Sequence, residues 1–201
     1  MRTRFRSANA DGDMRTRLHS ANAVCIDGVD YELNTGWSVW LEIDSLLSGR
    51  AADGMRLAKA LTLAYPVLPH SLLGAVRGML MFFAGGGEHA EESSSAAAPH
   101  TRVCDLGQDF EYIWGAFLSE YGIDLTETEM HWWRFRTLLS CLGKDCRYSQ
   151  IVMYRSVDLT KIKDTEQRKF YAEMKKKYRL RDMRSAEERE ADCAAELEKV
   201  F

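Results

Sequence analysis

The sequence predicts a mainly α-helical fold with one β-hairpin near the amino terminus. Asp105 with Gln108 forms a capping box, a pattern typical of helix amino termini. The apolar residues that follow it recur at steps of three and four, the period of an amphipathic helix. Strand-like alternation occurs on both sides of Asp27 and Gly28, a dipeptide that suits the left-handed backbone of a two-residue turn. We therefore expect one hairpin followed by helices.

The composition is that of an ordinary globular protein. The 201 residues are 46% hydrophobic and 28% charged, enough for one sizeable domain or two small ones. A net charge of -3 argues against a general nucleic-acid binder, which would be strongly basic. No apolar run approaches the ~18–20 residues that a membrane-spanning helix needs. Five scattered cysteines favour reduced thiols in a cytoplasm over a disulfide framework.

The amino terminus contains a direct repeat. MRTRFRSANA at residues 1–10 returns as MRTRLHSANA at residues 14–23. A single duplication is far shorter than a repeat architecture requires, so we interpret residues 1–22 as a flexible duplicated arm. Two alternatives stay open, namely Met14 as the native start and a basic arm that folds on a partner.

Residues 23–84 are predicted to form the hairpin and three helices. Asn34 or Thr35 is a suitable cap for the first helix, because a short polar side chain can accept a backbone N–H. A second helix is expected over residues 54–64. The third is expected to begin at Pro69, since proline is favoured at the first helical position.

Residues 85–104 have the composition of a flexible linker. The string GGGEHAEESSSAAAPH shows no periodicity and no large apolar residue. His89, His100 and Cys104 can be drawn as metal ligands, but their spacing matches no zinc-binding pattern. We expect no metal and no cofactor here, and we interpret the segment as a tether between two halves of the chain.

Residues 105–180 are predicted to be a helical core, followed by a charged tail helix over 181–201. Aromatic and aliphatic side chains after the first capping box share one helical face. They are Phe110, Ile113, Trp114, Phe117 and Tyr121. Gly122 then supplies the left-handed position that commonly ends a helix.

A second capping box, Thr126 with Glu129, is expected to open the next helix. Phe135 marks the centre of a buried stripe on this helix, with His131 and Trp132 within about 60° of it at 100° per residue. No nucleophile or carboxylate recurs around His131 at a recognisable catalytic spacing. We therefore expect a structural histidine and a protein that is not an enzyme.

The opposite side of the same helix carries the predicted contact residues. Trp133 lies about 160° from Phe135, on the side of Met130, and Arg134 and Arg136 flank the buried stripe at about 100°. One core cannot bury both tryptophans unless the helix is sandwiched. We therefore predict that Trp133, Met130, Arg134 and Arg136 bind a partner.

The carboxyl-terminal half also carries a family resemblance. The strings DFEYIWGAFLSEYGIDLTETEMHWWRFRTLLSCL at 109–142 and IVMYRSVDLTKIKD at 151–164 resemble a siphophage family encoded immediately upstream of the tape-measure gene, the "gene product fifteen" family. The hairpin and the first helix also match in position, so the resemblance covers most of residues 23–180. The residues that carry it are Asp109, Ile113, Phe117, Tyr121, Gly122, Ile123, Asp124, Leu125, His131, Trp132, Trp133, Phe135, Leu138, Leu139, Tyr154 and Arg155.

The resemblance implies a tail-assembly chaperone that works in the host cytoplasm. Such proteins bind the tape-measure protein, keep its helices soluble and help to recruit tail-tube subunits, and the family has no catalytic residues to carry over. A second copy of the chain is a further candidate partner. The alternative is a structural tail component of the virion, such as a tube or completion protein, although those are usually rich in strands.

Overall fold

The computed structural model describes residues 4–7, 21–48, 54–85 and 102–181. Within them the chain forms a short antiparallel sheet and seven α-helices, so the predicted mainly α-helical class is confirmed. The helices are α1 (Trp37–Leu47), α2 (Gly54–Ala64), α3 (Leu72–Phe83), α4 (Phe110–Tyr121), α5 (Trp132–Ser140), α6 (Arg147–Ser156) and α7 (Thr165–Lys177).

The predicted hairpin is confirmed, and a further strand pairs with it. Asp27 and Gly28 have φ angles of 52° and 86°, the left-handed pair that a tight two-residue turn requires. In strand order the sheet contains β1 (Arg4–Ser7), β2 (Ala21–Ile26) and β3 (Val29–Glu32). Strand β1 lies in the predicted flexible arm and was not expected. The rest of that arm, apart from residues 21 and 22, lies outside the described residues.

Helix α3 approaches the sheet closely because two of its glycines, Gly74 and Gly78, face strand β2. A Cβ atom on Gly78 would lie 2.6 Å from the Tyr65 hydroxyl oxygen and 3.1 Å from a Val24 methyl carbon. The helix begins at Leu72 and not at Pro69 as predicted, because the Ser71 hydroxyl accepts the backbone N–H of Gly74 and caps it.

Helices α1 and α5 begin side by side and satisfy each other's backbone. The N–H of Trp37 donates to the Met130 carbonyl at 3.0 Å, and the N–H of Trp132 donates to the Thr35 carbonyl at 2.7 Å. Between these bonds lies an antiparallel bridge that pairs Gly36 with His131. Tertiary partners therefore satisfy N–H groups that a helix start leaves without intrahelical acceptors.

The side-chain caps predicted for α1 and α5 are both wrong. Helix α1 is preceded by Gly36 and has no side-chain cap, while Asn34 donates its amide to the Leu63 carbonyl. The predicted capping box at Thr126 is also wrong, because α5 starts six residues later. Thr126 instead donates its N–H and its hydroxyl to the Asp124 carboxylate.

The two predicted halves of the chain share one hydrophobic core. The ring of Trp40 in α1 lies 6.2 Å from that of Trp132 in α5, and Trp37 stacks on Phe135 at 5.2 Å. The indole N–H of Trp132 donates to the Phe83 carbonyl at the end of α3. The expected role of Trp132 in the core is confirmed, since 1% of its surface is exposed.

A buried ion pair organises the carboxyl-terminal half. Arg155 in α6 makes two hydrogen bonds to the Asp109 carboxylate, at 2.6 and 2.8 Å. Its Nε and Nη1 also donate to the carbonyls of Tyr178, at 2.5 Å, and Val103, at 3.2 Å. Asp109 also accepts the N–H of Asp105. The pair thus joins the start of α4, helix α6, the end of α7 and the chain that enters the domain.

The predicted linker and tail lie largely outside the described residues. Residues 86–101 and 182–201 are not described, so their expected flexibility and helicity stay predictions. The end of the predicted linker is attached to the fold, since Arg102 bonds to Asp44 at 3.3 Å. The backbone of Arg181 is hydrogen-bonded to the side chain of Gln108.

Candidate partner-binding surface

Helix α3 is apolar on all sides. Its sequence, LLGAVRGMLMFF, contains a single charged residue, Arg77. One side packs in the core and consists of Gly74, Ala75, Gly78, Met79 and Phe82. The other side carries large apolar residues that water contacts, with 70% of Leu73 and 48% of Leu80 exposed. A helix that is apolar all round is normally covered on all sides.

The exposed side of α3 forms a continuous stripe. At 100° per residue, four of its apolar residues fall within about 80° of one another, and Leu72 borders them. We call this stripe, the exposed Leu72, Leu73 and Leu80 with the half-buried Val76 and Phe83, the α3 outer face. Val67 and Leu68, just before the helix, are also exposed. Exposed apolar surface of this kind makes the α3 outer face a candidate interaction site.

The α3 outer face leads into a groove of about 790 Å³ between the two halves of the chain. Leu80 and Phe83 belong to both, so the two apolar surfaces are continuous. The other walls come from the end of α1, from α5, from the segment around Leu106 and from α6. Their apolar side chains are Leu47, Leu106, Trp132, Leu139 and Tyr148.

Two arginines line the groove, and their environments differ. Arg102 is paired with Asp44 at 3.3 Å and with Asp105 at 3.4 Å. Burial raises the pKa of the Asp44 carboxyl, an effect that the nearby Arg102 guanidinium opposes. Arg136 is half-buried, and burial lowers its pKa. Among the residues that the structure describes, no hydrogen-bond or ion-pair partner reaches the Arg136 guanidinium.

The guanidinium of Arg136 lies against Gly85 at the end of α3. Gly85 has a φ of +91°, a left-handed backbone that glycine adopts without strain. A Cβ atom at this position would lie 2.6 Å from Nη1 of Arg136. The missing side chain therefore makes room for the guanidinium beside the groove.

The family model of the bacteriophage Gp15 protein matches residues 18–180 of the chain. The chain belongs to this family. No curated protein and no solved structure matches it. The match spans all seven helices, the α3 outer face and the groove, so these features lie within the Gp15 region itself. In the described ranges, no helix has the length and the apolar content needed to cross a bilayer.

The Gp15-family chain does not present the predicted contact residues as one surface. Met130 was expected to face outward, which is wrong, since 7% of it is exposed. Trp133 is half-buried inside the fold, where its indole N–H donates to the Phe82 carbonyl at 2.8 Å. Its ring lies 5.0 Å from that of Phe82. Both tryptophans of α5 therefore donate to carbonyls at the end of α3, Trp132 from the core and Trp133 from a half-buried position.

The two predicted arginines lie in different environments. Arg134 is exposed, whereas Arg136 lines the groove, so only Arg136 joins the surface described above. His131 is the N-cap of α5, and its Nδ1 accepts the N–H of Trp133 at 3.1 Å. It was expected on the buried stripe of the helix, which is wrong because the helix begins only at the following residue.

Sequence reasoning missed the α3 outer face in this Gp15-family chain. The signal was present, because LLGAVRGMLMFF places apolar residues around the whole helical circumference. One core covers only one side of such a helix, so an apolar second side predicts a partner. Cys104 also lines the groove, where desolvation of its sulfur raises the pKa of the thiol and favours the neutral form.

Proposed function

We propose that this Gp15-family protein is a tail-assembly chaperone that binds the tape-measure protein in the host cytoplasm. The observation that carries the proposal is the α3 outer face with its continuation into the groove. A helical client with an apolar ridge fits such a surface, because leucines and aromatic rings can pack against it over several turns. The proposed action is contact without catalysis.

The dimensions of the surface agree with a helical client. Helix α3 has 12 residues, which corresponds to a length of about 18 Å at 1.5 Å per residue. The groove extends the apolar path beyond its end at Phe83. A client helix of four to five turns (roughly 22–27 Å) would cover the α3 outer face and part of the groove. This cover would shield both apolar surfaces from water.

The resemblance to tail-assembly chaperones supplies the identity of the client. The tape-measure protein is the proposed primary partner, and tail-tube subunits and a second copy of the chain are further proposed partners. A chaperone leaves the assembly when the tail is complete. We therefore expect the protein in infected cells and in assembly intermediates, and not in mature virions.

A co-purification experiment tests the proposal with a matched pair of variants. Leu80 and Leu118 are exposed to 48% and 47%, but only Leu80 belongs to the α3 outer face. The tagged protein is expressed together with overlapping tape-measure fragments. We expect Leu80→Asp to lose the bound fragment and Leu118→Asp to keep it, with similar melting temperatures. Equal retention by both variants, or abundant protein in purified virions, would contradict the proposed function.

A further inference from the structure

We propose that the groove selects a client helix that carries a carboxylate within its apolar side, and that Arg136 binds this carboxylate. The inference rests on the proposed function, since it defines the chemistry of the client at the same surface. The juxtaposition that carries it is a half-buried guanidinium without a described partner among apolar walls.

The charges of the groove favour an acidic occupant. Asp44 and Arg102 bond to each other, and Asp105 also contacts Arg102. Arg136 is then the cationic side chain that lines the groove without a described counterion. Removing a guanidinium from water is unfavourable unless hydrogen bonds and an opposite charge compensate for it. A client carboxylate supplies both, and arginine can bind it through two parallel N–H···O bonds.

The walls of the groove define the rest of the ligand. Leu80 and Phe83 on one side and Leu139 on the other offer no fixed charge, so residues that flank the carboxylate must be apolar. The low polarity of these three side chains strengthens an ion pair formed beside them. The expected ligand is therefore an amphipathic helix with one Asp or Glu inside its leucine-rich stripe.

Arg134 provides an internal control for the role of Arg136. Both arginines lie on α5, two residues apart, but Arg134 is exposed and does not line the groove. General electrostatic attraction to an acidic peptide would involve both side chains. Recognition of a carboxylate inside the groove would involve Arg136 alone.

The probe is a designed 18-residue helical peptide with a leucine stripe and a single Glu in its centre, compared with the same peptide carrying Gln. Both are titrated against the full chain by fluorescence anisotropy in physiological salt. We expect the Glu peptide to bind about ten-fold more tightly, as a charge-assisted hydrogen-bonded pair implies. Arg136→Gln should abolish this ratio, and Arg134→Gln should leave it unchanged.

The outcomes separate the inference from the proposed function. If tape-measure fragments bind but the Glu and Gln peptides bind equally, the inference is wrong and the chaperone role stands. If the Arg136→Gln variant still binds the Glu peptide more tightly than the Gln peptide, another group binds the carboxylate, and the inference is wrong. If the peptide preference is found but no tape-measure fragment binds, the groove chemistry stands and the proposed client is wrong.

Two other occupants of the groove are tested in the same assay. The acidic segment 182–201 of the chain is one, and its deletion would then tighten peptide binding several-fold. A second copy of the chain is the other, and peptide binding would then dissociate dimers in sedimentation. Either result would overturn the assignment of the groove to a client. A monomer whose peptide affinity is unchanged by the deletion supports it.

Discussion

Arg155 is buried and Arg136 is half-buried, and the surroundings of these two arginines have opposite character. Arg155 is 9% exposed and bonds to the Asp109 carboxylate and to two backbone carbonyls. Arg136 lies in an apolar groove where no described group accepts its N–H donors. The donors of Arg155 are therefore used within the fold, whereas the donors of Arg136 have no described acceptor.

This comparison separates residues that maintain the fold from residues that are available to a partner. Arg155 donates to acceptors from three other segments of the chain, so these donors are already used within the fold. The groove joins the two halves through apolar contacts and the Arg102–Asp44 pair, and the Arg136 side chain retains donors for an incoming group. Substitutions at residues that maintain the fold should therefore cost far more stability than substitutions in the groove.

The largest effect is expected from Arg155→Met. Asp109 is 1% exposed, so the substitution leaves a buried carboxylate without its cation. Breaking a buried pair on one side costs about 3–5 kcal/mol of unfolding free energy. Urea unfolding at neutral pH measures this loss. A matched double variant, Arg155→Met with Asp109→Leu, should recover most of it, because no uncompensated charge remains. Equal instability of the two variants would show that the carbonyl contacts of Arg155 matter more than its charge.

Trp133→Ala is expected to have the second largest effect. The substitution removes the packing on Phe82 and the hydrogen bond to its carbonyl, which attach α5 to α3. We expect a loss of about 2–3 kcal/mol, less than for a fully buried tryptophan. Thermal melting measures it, and Trp133→Phe serves as the control that keeps most of the ring. An unchanged melting temperature would contradict this and would favour the prediction that Trp133 contacts a partner.

Arg136→Met should leave stability nearly unchanged or raise it slightly. The substitution replaces a partly desolvated cation that has no described partner, so at most about 1 kcal/mol of unfolding free energy should change. The same chemical change at Arg155 is expected to be severely destabilising, which makes the pair a direct test of the comparison. Urea unfolding of both single variants side by side provides the measurement. A large loss at Arg136 would place it among the residues that maintain the fold.

The smallest effect is expected from the Asp124 carboxyl and concerns pH. Hydrogen bonds from the side chain and backbone of Thr126, with a further bond from the Trp114 indole, lower the pKa of Asp124. A lowered folded-state pKa gives stability that is present above the unfolded-state value and is lost as the pH falls through the folded value. Asp124→Asn should therefore lower the melting temperature at pH 7, and the difference should shrink as the pH falls below the unfolded-state pKa of about 3.9 towards the folded-state value. A pH-independent difference would contradict this.

Features fixed by neighbouring residues could be predicted from the sequence. Asp27 and Gly28 form the expected turn because their left-handed angles are a local property. Gly122 ends α4 with a φ of 65° for the same reason. The predicted capping box at Asp105 is right only in its local half: Asp105 accepts the N–H of Gln108, but Asp109, and not Gln108, binds the N–H of Asp105, and α4 begins only at Phe110.

Features that depend on distant segments could not be predicted. The starts of α1 and α5 satisfy each other, so side-chain caps near Asn34 and Thr126 are not needed there. The position of Trp133 depends on the end of α3, about fifty residues earlier, which a helical wheel of α5 does not include. The groove has the same origin, since its walls come from helices of both halves of the chain.

The contact between the starts of α1 and α5 also has a consequence for biosynthesis. The indole N–H of Trp37 donates to the Thr128 carbonyl, 91 residues further along the chain. At ~5–20 residues per second, a ribosome needs roughly 5 to 18 seconds to make that distance. During this interval Trp37 and Trp40 lack their ring partners in α5, Phe135 and Trp132. The proposed chaperone therefore has core tryptophans of its own that stay uncovered by α5 until α5 has left the ribosome.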